Sequence, residues 1–179
     1  AVVEIDGHLY ALLVDAAYDV GEALSDPIEV PGGFGAVDHR GDEQGLLVAL
    51  VDEDHQQALL ARFNGEDLSW ETHHLPQPDF KIDGLCLHRD SGDNDFLFVV
   101  GEEGLGEQWL VAENGRLVAH PGKVRNLSLP PQSEYCQVDD VHERLYVNEE
   151  NVGLWAYQAH PEAGLSREPG SVKAPFGDI

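Results

Sequence analysis

Apolar residues come in short runs separated by polar turns, and no long stretch carries the spacing of an amphipathic helix. Three runs read as strands: Leu46-Leu-Val-Ala-Leu-Val, Phe96-Leu-Phe-Val-Val and Leu145-Tyr-Val. Before them stand Gly35-Ala-Val-Asp-His-Arg, Gly84-Leu-Cys-Leu-His-Arg and Tyr135-Cys-Gln-Val-Asp-Asp, each followed by a polar turn. After them come acids: Asp52-Glu53-Asp54, Glu102-Glu103 and Glu149-Glu150. A further strand in each unit carries an aromatic, Phe63, Trp109 and Trp155, spaced 46 residues apart each time. Residues 68–74 and 123–127 fit a fourth strand.

Self-similarity at this period is the mark of a repeat architecture, and three or four antiparallel strands per repeat is the size of a propeller blade. The expected fold is therefore all-β, a partial β-propeller of three to four antiparallel four-stranded blades. Within one propeller-like domain or fragment, residues 1–31 read as a partial blade, 32–79, 80–130 and 131–170 as blades, and 171–179 as a tail. The stretch after Tyr157 is rich in Pro and Gly and suggests no further blade. The repeated aromatics are expected to pack blade on blade, because equivalent core positions repeat. An open stack leaves two raw sheet faces, which predicts further sequence, self-association or a docked partner. The chain has no Met and reads as a mature or excised segment. Any export signal then lies outside it, and a secreted or periplasmic location is expected.

Composition narrows the partners. Thirty-four acidic residues against ten basic ones give a formal charge of −24. Such a field repels nucleic acid and anionic lipid, so neither is expected to bind. No apolar run approaches the roughly 20 residues of a membrane helix. The nine histidines show no HxH or HExxH spacing, which argues against zinc. Nucleophile-elbow, P-loop and dinucleotide motifs are missing from strand–turn–helix contexts. Cys86 and Cys136 lack metal-type spacing and read as small buried hydrophobes ahead of a disulfide.

The acids at the strand ends are the candidate chemistry. Pairing about a turn near Val141 and His142 sets Asp139 opposite Leu145, and the same register sets Glu134 opposite Glu150. Like charges directly opposed are destabilising unless a cation or proton lies between them. One blade earlier Asp83 falls near Glu102 and Glu103, and Asp52 and Glu53 reach the same level in the blade before that. Blades radiate from one axis, so these positions converge at one end of a central channel, and a set of carboxylates suits a hard cation such as Ca²⁺. Glu134 and Glu150 are the expected ligands, with Asp83, Glu102, Glu103 and Glu149 as further acidic candidates.

The stretch from Glu134-Tyr-Cys-Gln-Val-Asp-Asp through Leu145-Tyr, Glu149-Glu150 and Trp155 resembles the signature blade of the β-propeller phytases. Asp83-Gly-Leu-Cys-Leu-His through Gly101-Glu-Glu to Trp109 is similar to the blade before it, and Pro121-Gly-Lys-Val-Arg fits the connection. The resemblance covers residues 80–160 closely and 33–79 loosely. It implies a six-bladed, calcium-dependent propeller that hydrolyses phytate (myo-inositol hexakisphosphate), with Glu134 and Glu150 in the places of two calcium-binding glutamates. It also implies departures. Glu102 stands where the family has a phosphate-holding Lys, Glu53 where it has an Arg, Asp83 where it has a Tyr, and Tyr135 where it has a Gly. Anions in place of cations reverse the electrostatics of a phosphate site. Two expectations result: part of a calcium-dependent phytase, this segment weakly active or inactive and resembling the divergent N-terminal half of a tandem enzyme, or a non-catalytic lobe that binds cations, phytate or metal–phytate and docks on a catalytic domain.

Overall fold

The computed structural model describes residues 33–170 in full and the backbone of residues 171–172. Of the first 32 residues it describes the backbone of β1 (Val2–Ile5), β2 (His8–Val14), β3 (Val20–Ala23) and β4 (Ile28–Glu29), with β2 pairing antiparallel to each of the other three. The remainder of the 1–31 partial blade, and residues 173–179 of the expected tail, lie outside the described residues. Three four-stranded antiparallel sheets follow. The first is β5 (Phe34–Asp42), β6 (Gly45–Asp52), β7 (Gln57–Asn64) and β8 (Ser69–His74). The second is β9 (Gly84–Arg89), β10 (Asn94–Gly101), β11 (Leu105–Glu113) and β12 (Arg116–Ser128). The third is β13 (Ser133–Asp139), β14 (Arg144–Glu149), β15 (Gly153–Gln158) and β16 (Arg167–Val172). The fold is all-β, each sheet a simple up-and-down meander, in the manner of a partial propeller. No helix among the described residues is long and apolar enough to cross a membrane.

The apolar runs are continuous because each middle sheet is covered on both faces. In β6, Leu47, Ala49 and Val51 join the core shared with the second sheet, whereas Val48 and Leu50 face the opposite way. In β10, Leu97 and Val99 enter that same shared core while Phe98 and Val100 enter the next, formed with Val138, Leu145 and Val147 of the third sheet. Alternate residues of a strand point to opposite faces, so one run feeds two cores. Trp109 packs in the core shared by the first and second sheets, Trp155 packs against the core shared by the second and third, and Phe63 is buried against Trp70. Asn114 and Gly115 both take positive φ in the tight β11–β12 turn, a backbone that Asn-Gly adopts readily. β16 is a fourth strand where the sequence pattern gave only a Pro- and Gly-rich stretch; Pro169 falls on this outer strand, the place in a sheet where proline is tolerated.

Adjacent sheets meet through their first strands, β5, β9 and β13. Cys86 of β9 and Cys136 of β13 form a disulfide, with Cα atoms 5.7 Å apart. The sequence reading as two separate apolar cysteines is corrected here. Neighbouring blades touch through opposite faces, so bonded residues must come from positions of opposite parity in the repeat. Cys86 is third in its repeat and Cys136 second, which satisfies that condition.

Candidate functional site

Strand direction gives the domain two ends. Asp52-Glu53-Asp54, Asp83, Glu102-Glu103, Glu134 and Glu149-Glu150 gather at the end formed by the β6–β7, β10–β11 and β14–β15 turns and by the starts of β9 and β13. A relay of hydrogen bonds runs across it. Glu102 N–H donates to Asp83 Oδ2 at 2.8 Å, Gln132 N–H donates to the Glu102 carbonyl at 2.6 Å, and Glu150 N–H donates to the Gln132 carbonyl at 3.0 Å. At Gly84 an added Cβ would lie 2.2 Å from the carbonyl oxygen of Glu134, so the two inner strands approach here as only glycine permits. The structure thus brings Asp83, Glu102, Glu134 and Glu150 to one surface.

The register differs from the one expected. Asp139 pairs with Arg144 and Val138 with Leu145, and a bulge between Ser133 and Cys136 leaves Ser133 opposite Glu149. Glu134 therefore sits in the bulge and not directly opposite Glu150. The first sheet has the same irregularity between Phe34 and Val37, so the bulge is a repeated feature of the inner strand. A bulge takes up an extra residue and turns its side chain away from the ladder, which relieves the like-charge contact that an unbroken register would force.

The acids at this end differ in what they hold. Asp52 is buried and accepts from the His55 backbone N–H at 3.0 Å and meets its ring Nδ1 at 2.9 Å. Burial raises its carboxyl, but the His55 contacts outweigh that and keep it below its ordinary value. Glu149 accepts from Trp155 Nε1 at 2.6 Å. Asp83 is gripped by the Lys81 ammonium and the Glu102 N–H, and Lys81 is held above its ordinary pKa by the Asp83 hydrogen bond and charge, helped by Glu102 and Glu103. Glu53 lies along Gly33 and Gly35, where a Cβ at Gly35 would come within 2.8 Å of its carboxylate. Among the described residues no hydrogen bond or ion pair engages the carboxylates of Glu134, Glu150, Glu102 or Glu103, and no group of three or more acidic, His or Cys side chains is close enough to hold a metal. Carboxylate oxygens suit a hard cation, which takes more oxygens than two carboxylates supply.

The opposite end is built otherwise. Arg40 reaches from β5 to Asp140 Oδ2 at 2.8 Å, to Asp38 at 3.0 Å and to the Leu87 carbonyl at 2.6 Å. Asp140 also accepts the Arg89 backbone N–H at 3.1 Å and lies 3.2 Å from Nδ1 of the buried His88. Arg89 forks onto buried Asp95 at 2.8 and 3.0 Å and touches Asp42, which Arg62 holds at 2.7 Å. Burial pushes Asp42 and Asp140 up, yet Arg62 and Arg89 in one case and His88 and Arg40 in the other bring both below the ordinary 3.8. This network was missed in the sequence, though its signal was there: Arg40, Arg89 and Asp140 occupy the same position of the three aligned repeats.

The Phytase family model matches residues 80–174, more than half of the chain and the part that contains the Asp83, Glu102, Glu134 and Glu150 surface. The chain belongs to the phytase family. It is similar to the 3-phytase of Bacillus subtilis (strain 168), 32% identical over 85 residues, which is 47% of this chain and 22% of that protein. The aligned part of this phytase-family chain thus spans about a fifth of its relative's length.

Proposed function

We propose that this chain is part of a calcium-dependent phytase, a phosphomonoester hydrolase acting on myo-inositol hexakisphosphate, and that the segment itself turns over weakly or not at all. The observation that carries the first part is the family match over the second and third sheets, the third of which holds Glu134 and Glu150 at its end, both carboxylates without a cationic partner among the described residues. These two would hold Ca²⁺, with Glu149 as a further candidate. Bound there, calcium supplies positive charge for substrate phosphates and activates water. The protein's own residues do the placing: the bulge at Glu134 and the hydrogen-bond relay from Asp83 to Glu150 fix the height of each carboxylate at the surface.

The second part rests on charge. Glu53, Asp83 and Glu102 stand where a phosphate-holding site needs cations, and Asp83 already engages Lys81. This favours a companion reading, a non-catalytic lobe that binds cations, phytate or metal–phytate and docks on a neighbouring phytase domain or on another copy, as the divergent N-terminal half of a tandem enzyme. The Cys86–Cys136 disulfide supports an oxidising, secreted or periplasmic setting. The test is phosphate release from phytate, with calorimetric phytate affinity, for the wild type and Glu53→Arg/Glu102→Lys at fixed calcium and salt. Slow release and tighter phytate binding by the double variant are expected. Robust turnover by the unmodified segment would overturn the weak-segment reading, and unchanged affinity would overturn the assignment of those two positions.

A further inference from the structure

We propose that Lys81 is a built-in counter-ion that closes the Asp83 end of the second sheet to divalent cations. Its position is set by the backbone and not by the side chain alone. The Lys81 carbonyl lies against Gly101, where an added Cβ would come within 2.6 Å of that oxygen. Two residues on, Asp83 N–H donates to the Val100 carbonyl at 2.9 Å, and Asp83 Oδ2 accepts the Glu102 N–H at 2.8 Å. The loop before β9 is therefore laid along the end of β10, and the Lys81 ammonium falls on Asp83 Oδ1. Both oxygens of this carboxylate are then engaged by positively polarised donors, and a divalent ion would have to displace an ammonium at close range.

The contrast with the next sheet is what gives the arrangement a consequence. Glu134 and Glu150 have no such cation among the described residues, so an incoming ion is directed to their side of the surface and kept from Asp83, Glu102 and Glu103. Lysine suits this work: it sets a compact charge on Asp83, and with the side chain 60% exposed its replacement leaves the core undisturbed. Removing it leaves a carboxylate held in place by the backbone, with two further acids nearby adding to the field. The closing role of Lys81 is independent of the calcium reading; its consequence for where calcium goes rests on that reading.

The experiment is a terbium luminescence titration with calcium competition on the full chain, for the wild type, Lys81→Met, Lys81→Gln, Lys81→Arg and Lys81→Met/Asp83→Asn. The neutral variants are expected to gain a saturable step that calcium competes away, with terbium affinity about tenfold above any wild-type binding there. Lys81→Arg should behave as wild type, and Asp83→Asn should abolish the gain. Identical titrations for the wild type and both neutral variants would overturn the proposal, as would a gain that survives Asp83→Asn. Repeating the comparison in a Glu134→Gln/Glu150→Gln background separates the two ideas: a wild-type signal that survives there counts against the calcium reading, whereas the Lys81-dependent difference should persist whether or not that signal is lost.

Discussion

The two ends of these three sheets are both rich in carboxylates and treat them in opposite ways. At the Asp140 end, acids meet guanidinium groups or a histidine, within a blade at Asp95 and across blade boundaries at Asp140, which alone gathers Arg40, His88 and the Arg89 N–H. At the Glu134 end, Lys81 faces a surface where Glu102, Glu103, Glu134 and Glu150 carry no such partner among the described residues. An acid matched by arginine within or between blades holds strands and blades together. An acid left unmatched at a turn beside others like it is a cost to folding that a cation can offset. Charge count alone does not separate the two uses; the partners do.

The sharpest way to break this comparison is to unpair the matched end. Arg89→Met leaves buried Asp95 without its fork, and breaking such a pair costs about 3–5 kcal/mol, or roughly 10 °C in Tm for a chain of this size. A denaturation midpoint within error of wild type would place the network among decorative surface pairs. Next is the Cys86–Cys136 bridge, whose removal by Cys86→Ala/Cys136→Ala should cost about 2–4 kcal/mol. Hydrogen exchange should then rise more at Gly84 and Glu134 than at Arg89 and Asp140, because the latter pair keeps its ionic clamp. Equal rises at both ends would remove the distinction.

Smaller effects come from pH. Asp42 and Asp140 have folded pKa values below the ordinary 3.8. Their contribution is therefore present above that value and lost as pH falls through the folded values. Stability should drop below about pH 4, and less steeply in Asp140→Asn than in wild type. An acid limb of the same slope in both would contradict the assignment. Smallest is Glu103→Gln at the unmatched end, expected to change stability by no more than about 0.5 kcal/mol, in the stabilising direction; a clear loss would reveal a partner for Glu103.

Much of the fold was legible because strand, turn and aromatic positions repeat, and a repeat declares its own register. The apolar runs of β6 and β10 and the aromatics Trp109 and Trp155 found their places between blades for that reason. What failed were features that break the repeat or join two copies of it. The Glu134–Glu150 opposition was misplaced for two reasons: the β13–β14 turn sets Asp139 opposite Arg144 and not Leu145, and a bulge at Glu134-Tyr135 carries no Gly or Pro to announce it, although its counterpart in the first sheet falls at Gly35-Ala36. The disulfide was ranked second because aligned repeats put Cys86 and Cys136 at different positions, which is what contact between opposite faces requires. Lys81 was passed over because it lies in a connection outside the aligned strands.

The central claim, that the unmatched carboxylates are there to receive a cation, is tested most directly by calcium calorimetry with a parallel thermal melt. Wild type should show saturable heat and a Tm that rises with calcium, by an amount equivalent to about 2.7 kcal/mol at a hundredfold excess over Kd. Glu134→Gln/Glu150→Gln should lose both signals, and Asp140→Asn, though less stable, should keep them. No heat and no shift in wild type with millimolar calcium, and none on adding EDTA, would contradict the account, as would a double variant that binds calcium as well as the wild type does.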